Sequence, residues 1–210
     1  MSTTTFPNGQ ALASSALIPD GFAVIMQPLV AQILGIDPVA DPDKAFTAVR
    51  IAWQQEGQPA WSITDDVCIL RATVENDPYG RVRDGQFSPR DAASLTQRMS
   101  FTQVWNLHAT LYGPNCQDRA RLIVSAFSLD WVHDALTASN LYAIADWPRP
   151  VYAPELFQGQ WWKRADVDLK FNEMVNESLT VPSAAGVDVT LLKETGLSAE
   201  IHIRNPREGN

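Results

Sequence analysis

The chain has 210 residues, 45% hydrophobic and 19% charged, enough for one well-filled core or a core plus a small appendage. Lys and Arg number 16 against 24 Asp and Glu, a formal charge of -8, which excludes a sequence-wide basic surface able to hold nucleic acid by phosphate neutralisation. The 2 cysteines, Cys68 and Cys116, suit core positions in a reducing compartment and argue against a disulfide-stapled secreted domain.

Residues 1–20 are rich in Ser, Thr and Ala without periodicity, and are expected to form a flexible arm that orders only against something else. No basic region precedes the apolar patch from Ala11 to Ile18, which Ser14 and Ser15 interrupt, so neither an export signal nor a membrane span is expected. From Gly21 onward, Phe22, Ile25, Met26, Leu29, Val30, Ile33 and Leu34 recur on one helical face until Gly35. Pro28 inside that run predicts a bend, or a helix that begins there, because proline lacks the N–H of an interior turn. Asp37-Pro38 and Asp41-Pro42 read as turns. Phe46 to Gln54 and Ser62 to Val74 then read as two strands of a hairpin, separated by Glu56-Gly57-Gln58-Pro59. Asn76 to Ser94 has no pattern; Asp77-Pro78, Gly80, Gly85 and Pro89 mark a long loop, in which Arg81, Arg83 and Arg90 concentrate positive charge.

A half-buried strand follows, with Met99, Phe101, Gln103, Trp105, Leu107, Ala109 and Leu111 on one side and Ser100, Thr102, Val104, Asn106, His108 and Thr110 on the other. Gly113-Pro114 ends it, and Asn115 is placed to cap a helix whose first turn carries Asp118. Cys116, Ala120, Ile123, Phe127 and Trp131 form the apolar stripe of that helix, widened by Leu122 and Ala126. Trp105 and Phe127 are expected to face each other across the strand–helix layer. Leu141 to Ala145 predicts a short strand, and Pro148, Pro150 and Pro154 an extended connection. Alternation returns with Ala165, Val167, Leu169, Phe171 and Val175 against Asp166, Asp168, Lys170, Asn172 and Met174, a second long strand and a natural neighbour of the first. Val187 to Leu192 and Leu197 to Ile203 read as a C-terminal hairpin joined through Glu194-Thr195-Gly196. An isolated hairpin is marginal in water, so this one is expected to dock on the body or on another subunit.

Signatures of chemistry are sparse. His108, His133 and His202 lie in separate elements with no local ligand spacing, so no metal is expected. Neither a Gly-rich phosphate loop nor a Gly-x-Ser-x-Gly elbow occurs, and no cofactor or catalytic residue is assigned. Asp65 and Asp66, adjacent on a presumptive strand, point to opposite faces and cannot work as a pair. Asp166 and Asp168 share a face, which reads more simply as the wet side of an amphipathic strand than as a carboxylate pair flanking a substrate. Seven tryptophans raise a carbohydrate-binding or adhesion module as one alternative, and a small hydrolase with a dispersed active site is the other. Trp105 and Trp131 lie on apolar stripes and read as core, whereas Trp161 and Trp162 must diverge on an extended backbone, leaving one to meet a partner.

The order of parts resembles the neck or tail-terminator proteins of tailed bacteriophages. The pieces are a helix near the start, Ile51-Ala-Trp-Gln and Pro59-Ala-Trp, Ile63-Thr-Asp-Asp-Val-Cys-Ile-Leu, a long strand ending Leu111-Tyr-Gly-Pro before a helix, and Gln160-Trp-Trp-Lys-Arg-Ala-Asp-Val-Asp-Leu-Lys-Phe-Asn. The resemblance runs from about Gly21 to Val175. It implies an α/β (α+β) fold, with a mixed, mostly antiparallel sheet packed against two or three helices and a C-terminal β-hairpin extension. Residues 21–180 are then the terminator-like domain, and residues 181–210 the hairpin and tail.

That likeness also implies a non-enzymatic virion protein, made in the host cytoplasm and placed in the tail or neck. Its partners would be itself in a hexameric ring, the tail tube protein, and the head connector or head-completion protein. Genome DNA would pass through the lumen without sequence-specific binding, which the acidic composition suits, and no membrane is involved. The interface candidates are Arg81, Arg83 and Arg90 toward acidic side chains, Trp161 toward a partner, and Asp166 and Asp168 toward lumen or neighbour.

Overall fold

The computed structural model describes residues 2–7, 10–52, 61–90, 94–157, 159–182, 186–192 and 198–204. The chain order begins β1 (Ser2–Thr5), β2 (Ala11–Ser14), α1 (Pro19–Ile33), α2 (Pro42–Ala48), β3 (Val49–Ile51), β4 (Val67–Val74), β5 (Arg83–Pro89) and β6 (Ser94–Tyr112). It continues with α3 (Cys116–Ala126), α4 (Asp130–Thr137), β7 (Leu141–Ala143), β8 (Val151–Tyr152), β9 (Glu155–Phe157) and β10 (Gln160–Trp162). Last come β11 (Arg164–Pro182), β12 (Gly186–Leu192) and β13 (Ser198–Arg204). Two units emerge: Ala16–Val82 with Phe101–Val175, and Met1–Ser15 with Arg83–Ser100 and Asn176–Asn210. The long strands β6 and β11 contribute residues to both.

In the larger unit the strand order is β3-β4-β6-β11, with β7 and β8 also on β11. The two alternating strands are therefore neighbours, as their patterns predict. Trp105, Leu107, Ala109 and Leu111 of β6 and Ala165, Val167, Leu169 and Phe171 of β11 are all buried, in one cluster with α1 and α3. Phe22 of α1 stacks on Trp105 with ring centroids 4.7 Å apart. The same ring meets Phe171 edge-on at 5.7 Å, and Phe127 meets Phe171 at 5.3 Å. The ring partner of Trp105 is thus Phe22 from the first helix, and Phe127 joins the same aromatic group through Phe171.

Helix α1 starts at Pro19, where a proline needs no donor, and runs through Pro28 to Ile33. The carbonyl that Pro28 leaves without a donor belongs to Val24, a residue 60% exposed on the solvent side of the helix, where a missing backbone bond costs less than it would in the core. The expected hairpin of Phe46–Gln54 and Ser62–Val74 is corrected. Asp41 accepts a hydrogen bond from the Lys44 N–H at 3.2 Å and Pro42 occupies the first turn, so Pro42–Ala48 is helical. Among the described residues of Phe46–Gln54 only the short β3 is strand, and it pairs with β4 in parallel, Val49 opposite Cys68. Parallel neighbours require a crossover and not a tight turn; the expected turn at residues 56–59 lies outside the described residues.

The long helix is shorter than its apolar stripe predicts. Helix α3 ends at Ala126, Ser128 Oγ donates to the Ser125 carbonyl at 2.7 Å, and Leu129 N–H closes a tight turn on Ala126 at 3.0 Å. A separate helix α4 begins at Asp130, which leaves Trp131 exposed while Phe127 stays buried. The described residues thus carry four α-helices on a mostly antiparallel mixed sheet, an α+β fold.

In the smaller unit β1 pairs with β2, Ser2 opposite Ser14, and β2 pairs with β11, Ala13 opposite Ser178. Strand β5 pairs with β6, so the stretch read as one long loop is strand over Arg83–Pro89; its nearly continuous exposure hid the alternation. Strands β12 and β13 form the predicted antiparallel hairpin with Gly186 opposite Arg204, while the turn at residues 194–196 lies outside the described residues.

Candidate functional site

The polar face of β6 and β11 in the larger unit gathers side chains that lie far apart in the sequence. His108 Nδ1 lies 2.8 Å from Asp168 Oδ1, and its Nε2 lies 3.7 Å from Asp166 Oδ1. Arg164 donates from Nε to Asp166 at 3.0 Å and from a terminal nitrogen to Glu155 Oε2 at 2.7 Å. Tyr112 donates its hydroxyl to Glu155 Oε1 at 3.1 Å, and the Arg164 guanidinium lies 6.0 Å from the centre of the Tyr112 ring. Farther along β11, Lys170 donates to Glu75 at 2.8 Å, and this hydrogen bond raises the lysine pKa.

Two groups of this face, Tyr112 and Arg164, hold their protons more tightly than the free side chains do. Burial, reinforced by the Glu155 charge, pushes the Tyr112 phenol up to about 12, so it stays protonated at neutral pH. Burial works against the Arg164 charge, but its hydrogen bonds to Asp166 and Glu155 outweigh that and raise its pKa. Three carboxylates thus meet one guanidinium and one imidazole, and the face is acidic on balance. Sequence reasoning placed Asp166 and Asp168 together on this face but missed His108 between them. The adjacency of β6 and β11 was legible, whereas the register that sets His108 beside the two aspartates was not.

Above this network stands the hairpin of β9 and β10, in which Trp161 pairs with Leu156 and Trp162 with Glu155. Trp162 turns inward, edge-on to Tyr112 at 6.4 Å and to Phe157 at 6.2 Å. Trp161 is 67% exposed and Leu156 59% exposed on the other face. The two tryptophans diverge because successive side chains of a strand alternate.

The three loop arginines are dispersed. Arg81 donates to Asn76 at 3.2 Å at the end of a short 3-10 turn in the larger unit. In the smaller unit Arg83 pairs with Glu177 at 3.3 Å and Arg90 donates to Thr180 Oγ1 at 2.5 Å. All three are exposed.

Two further polar centres of the larger unit were missed in the sequence. Glu173, 2% exposed, accepts from the Leu17 N–H at 2.8 Å, Trp105 Nε1 at 2.7 Å and Gln103 Nε2 at 3.3 Å. Its odd position among Phe171 and Val175 was the available signal. Asp66 lies in the turn before β4, not on a strand, and accepts from Asn115 N at 3.0 Å and Nδ2 at 2.8 Å, with Arg119 Nε at 3.4 Å. Asn115 therefore opens α3 as predicted, but it acts as a donor to Asp66 and makes no side-chain cap of its own.

A cleft of about 590 Å³ beside α2 is lined by Arg50, Trp61, Asp65, Asp66 and Arg119 among others. Arg50, whose pKa burial lowers, lies 5.1 Å from the Trp61 ring centre. Among the described residues no group of three or more His, Cys, Asp and Glu side chains is arranged to hold a metal ion.

Residues 23–195 match the family model described as phage neck terminator protein. No curated protein matches the chain. Since the family match covers more than half of the sequence, and the fold is the α+β arrangement that the resemblance implies, the chain belongs to the phage neck terminator protein family.

Proposed function

We propose that this structural protein of the phage neck forms a hexameric ring at the head-proximal end of the tail. There it terminates the tail tube and joins it to the head connector or head-completion protein, with genome DNA passing through the lumen. The family match over residues 23–195 carries the reading. The acidic chain supports it physically, since a negative lumen lets phosphates slide past while a basic one retains them through counterion release. On this reading Asp166 and Asp168 face the lumen or the adjacent subunit, Trp161 meets a neighbour, and Arg81, Arg83 and Arg90 approach acidic groups of partners. The subunit is made in the host cytoplasm and becomes part of the virion on assembly.

The test is a phage lacking this chain, imaged with negative stain beside the purified protein. Tails of uncontrolled length, or heads without tails, together with rings of the purified protein, are expected. Normal virions would overturn the reading.

A further inference from the structure

The β9–β10 hairpin has one face anchored and one bare. Its inner face carries Glu155, held by Tyr112 and Arg164, and Trp162, packed edge-on to Tyr112. Its outer face carries the cross-strand pair Trp161 and Leu156, exposed by 67% and 59%. A two-stranded hairpin whose outer positions are a tryptophan and a leucine gains nothing from water, and large exposed apolar side chains in a cluster mark a surface that another molecule covers.

We propose that this outer face docks on a second copy of the chain, with Trp161 as the anchor. The proposal rests on the ring reading and names the contact that builds the ring. Two observations favour a second copy as the occupant. The first is charge: every copy carries a formal charge of -8, so copies approach one another at least cost through apolar side chains, and Leu156 and Trp161 offer two side by side. The second is area. Trp161 and Leu156 together present on the order of 250 Å² of largely apolar surface, about a third of what one partner buries in an interface of standard size. The contact is head-to-tail, because an isologous one would close as a dimer and not as a ring.

The experiment pairs sedimentation of the purified chain with a photo-crosslinking amino acid placed at position 161. Trp161→Thr with Leu156→Thr, a neutral cross-strand pair suited to a strand, should weaken self-association roughly thirtyfold or more, as loss of an interface anchor does, and leave the fold of the subunit intact because both side chains are exposed. A crosslinker at position 161 should join two copies of this chain, in the purified protein and in virions. Unaltered self-association of the double variant, a crosslink to a different virion protein, or no crosslink at all would overturn the proposal. The ring reading fails separately, by normal virions in the absence of the chain.

Discussion

A carboxylate on the apolar face of β11 is the residue whose removal should be felt most widely. Glu173 collects one backbone and two side-chain donors, and Trp105, fully buried, has its indole N–H aimed at it. Glu173→Ala strands those donors in the core and is expected to cost about 3 kcal/mol, read as a lower denaturation midpoint with altered Trp105 fluorescence. Tyr112 gives a second test. In the unfolded chain a tyrosine ionises near 10, whereas folded Tyr112 holds its proton to about 12. Above the first value and below the second the unfolded state binds fewer protons, so this group's contribution to stability falls as pH rises through that window. Phenolate absorbance should show a late component from Tyr112, and Glu155→Gln, which removes a charge that opposes the phenolate, should bring its midpoint down. Side-chain partnerships of this kind were the least legible in the sequence. Gly113 reads there only as a strand stop, yet it sits at φ 110°, where an added Cβ would lie 2.5 Å from the Asp65 carbonyl oxygen and from an Asp66 carboxylate oxygen. That requirement is set by a turn 47 residues upstream, beyond the reach of any local pattern.

Elements with strong periodicity were legible and those decided by a single hydrogen bond were not. The alternation of β6 and β11 placed both strands, their faces and their adjacency, because each strand has an apolar face that must be buried and a polar face that must not. The apolar stripe through Cys116, Ala120, Ile123, Phe127 and Trp131 carried the helix one turn too far, since periodicity does not register the Ser128 hydroxyl that turns back to Ser125. Helix α2 was lost for the converse reason: Asp41-Pro42 signals a turn and a helix start equally well, and a helix of 7 residues has too few positions to display a period. The helix break has a measurable consequence. Phe127→Ala should cost roughly 3–5 kcal/mol by leaving a cavity against Phe171. Trp131→Ala, at an exposed position of α4, should cost less than about 1 kcal/mol. Comparable losses from the two variants would restore the continuous helix.

For the whole molecule the order of parts was more informative than any motif, because this structural family of the phage neck is legible in the succession of its strands and helices and the sequence carries no local catalytic signature. The interface candidates acquire different weights from their neighbours. Reversing Arg83 would set a glutamate beside Glu177, so a change there mixes folding with assembly; Arg81, whose partner is the neutral Asn76, is the cleaner probe. Arg81→Glu should preserve the melting temperature and reduce head-to-tail joining, more so at low salt, if an acidic partner meets it. The acidic face yields the sharpest assay. Asp166 is mostly buried and tied to Arg164, so its reversal would break an internal ion pair, whereas the Asp168 side chain is 56% exposed and is held only from one side by His108 and Asn106 among its described contacts. Asp168→Lys therefore changes the outward potential with little disturbance of the fold. If the face lines the lumen, rings should assemble normally while ejection slows or DNA stays trapped, and added salt should relieve the block as the Debye length shrinks below about 10 Å. If the face meets a neighbour, the same variant should fail to form rings at low salt, because an attractive contact has become repulsive. Size-exclusion chromatography followed by ejection from particles carrying the variant separates the two, and wild-type behaviour in both assays would leave the face as solvated surface.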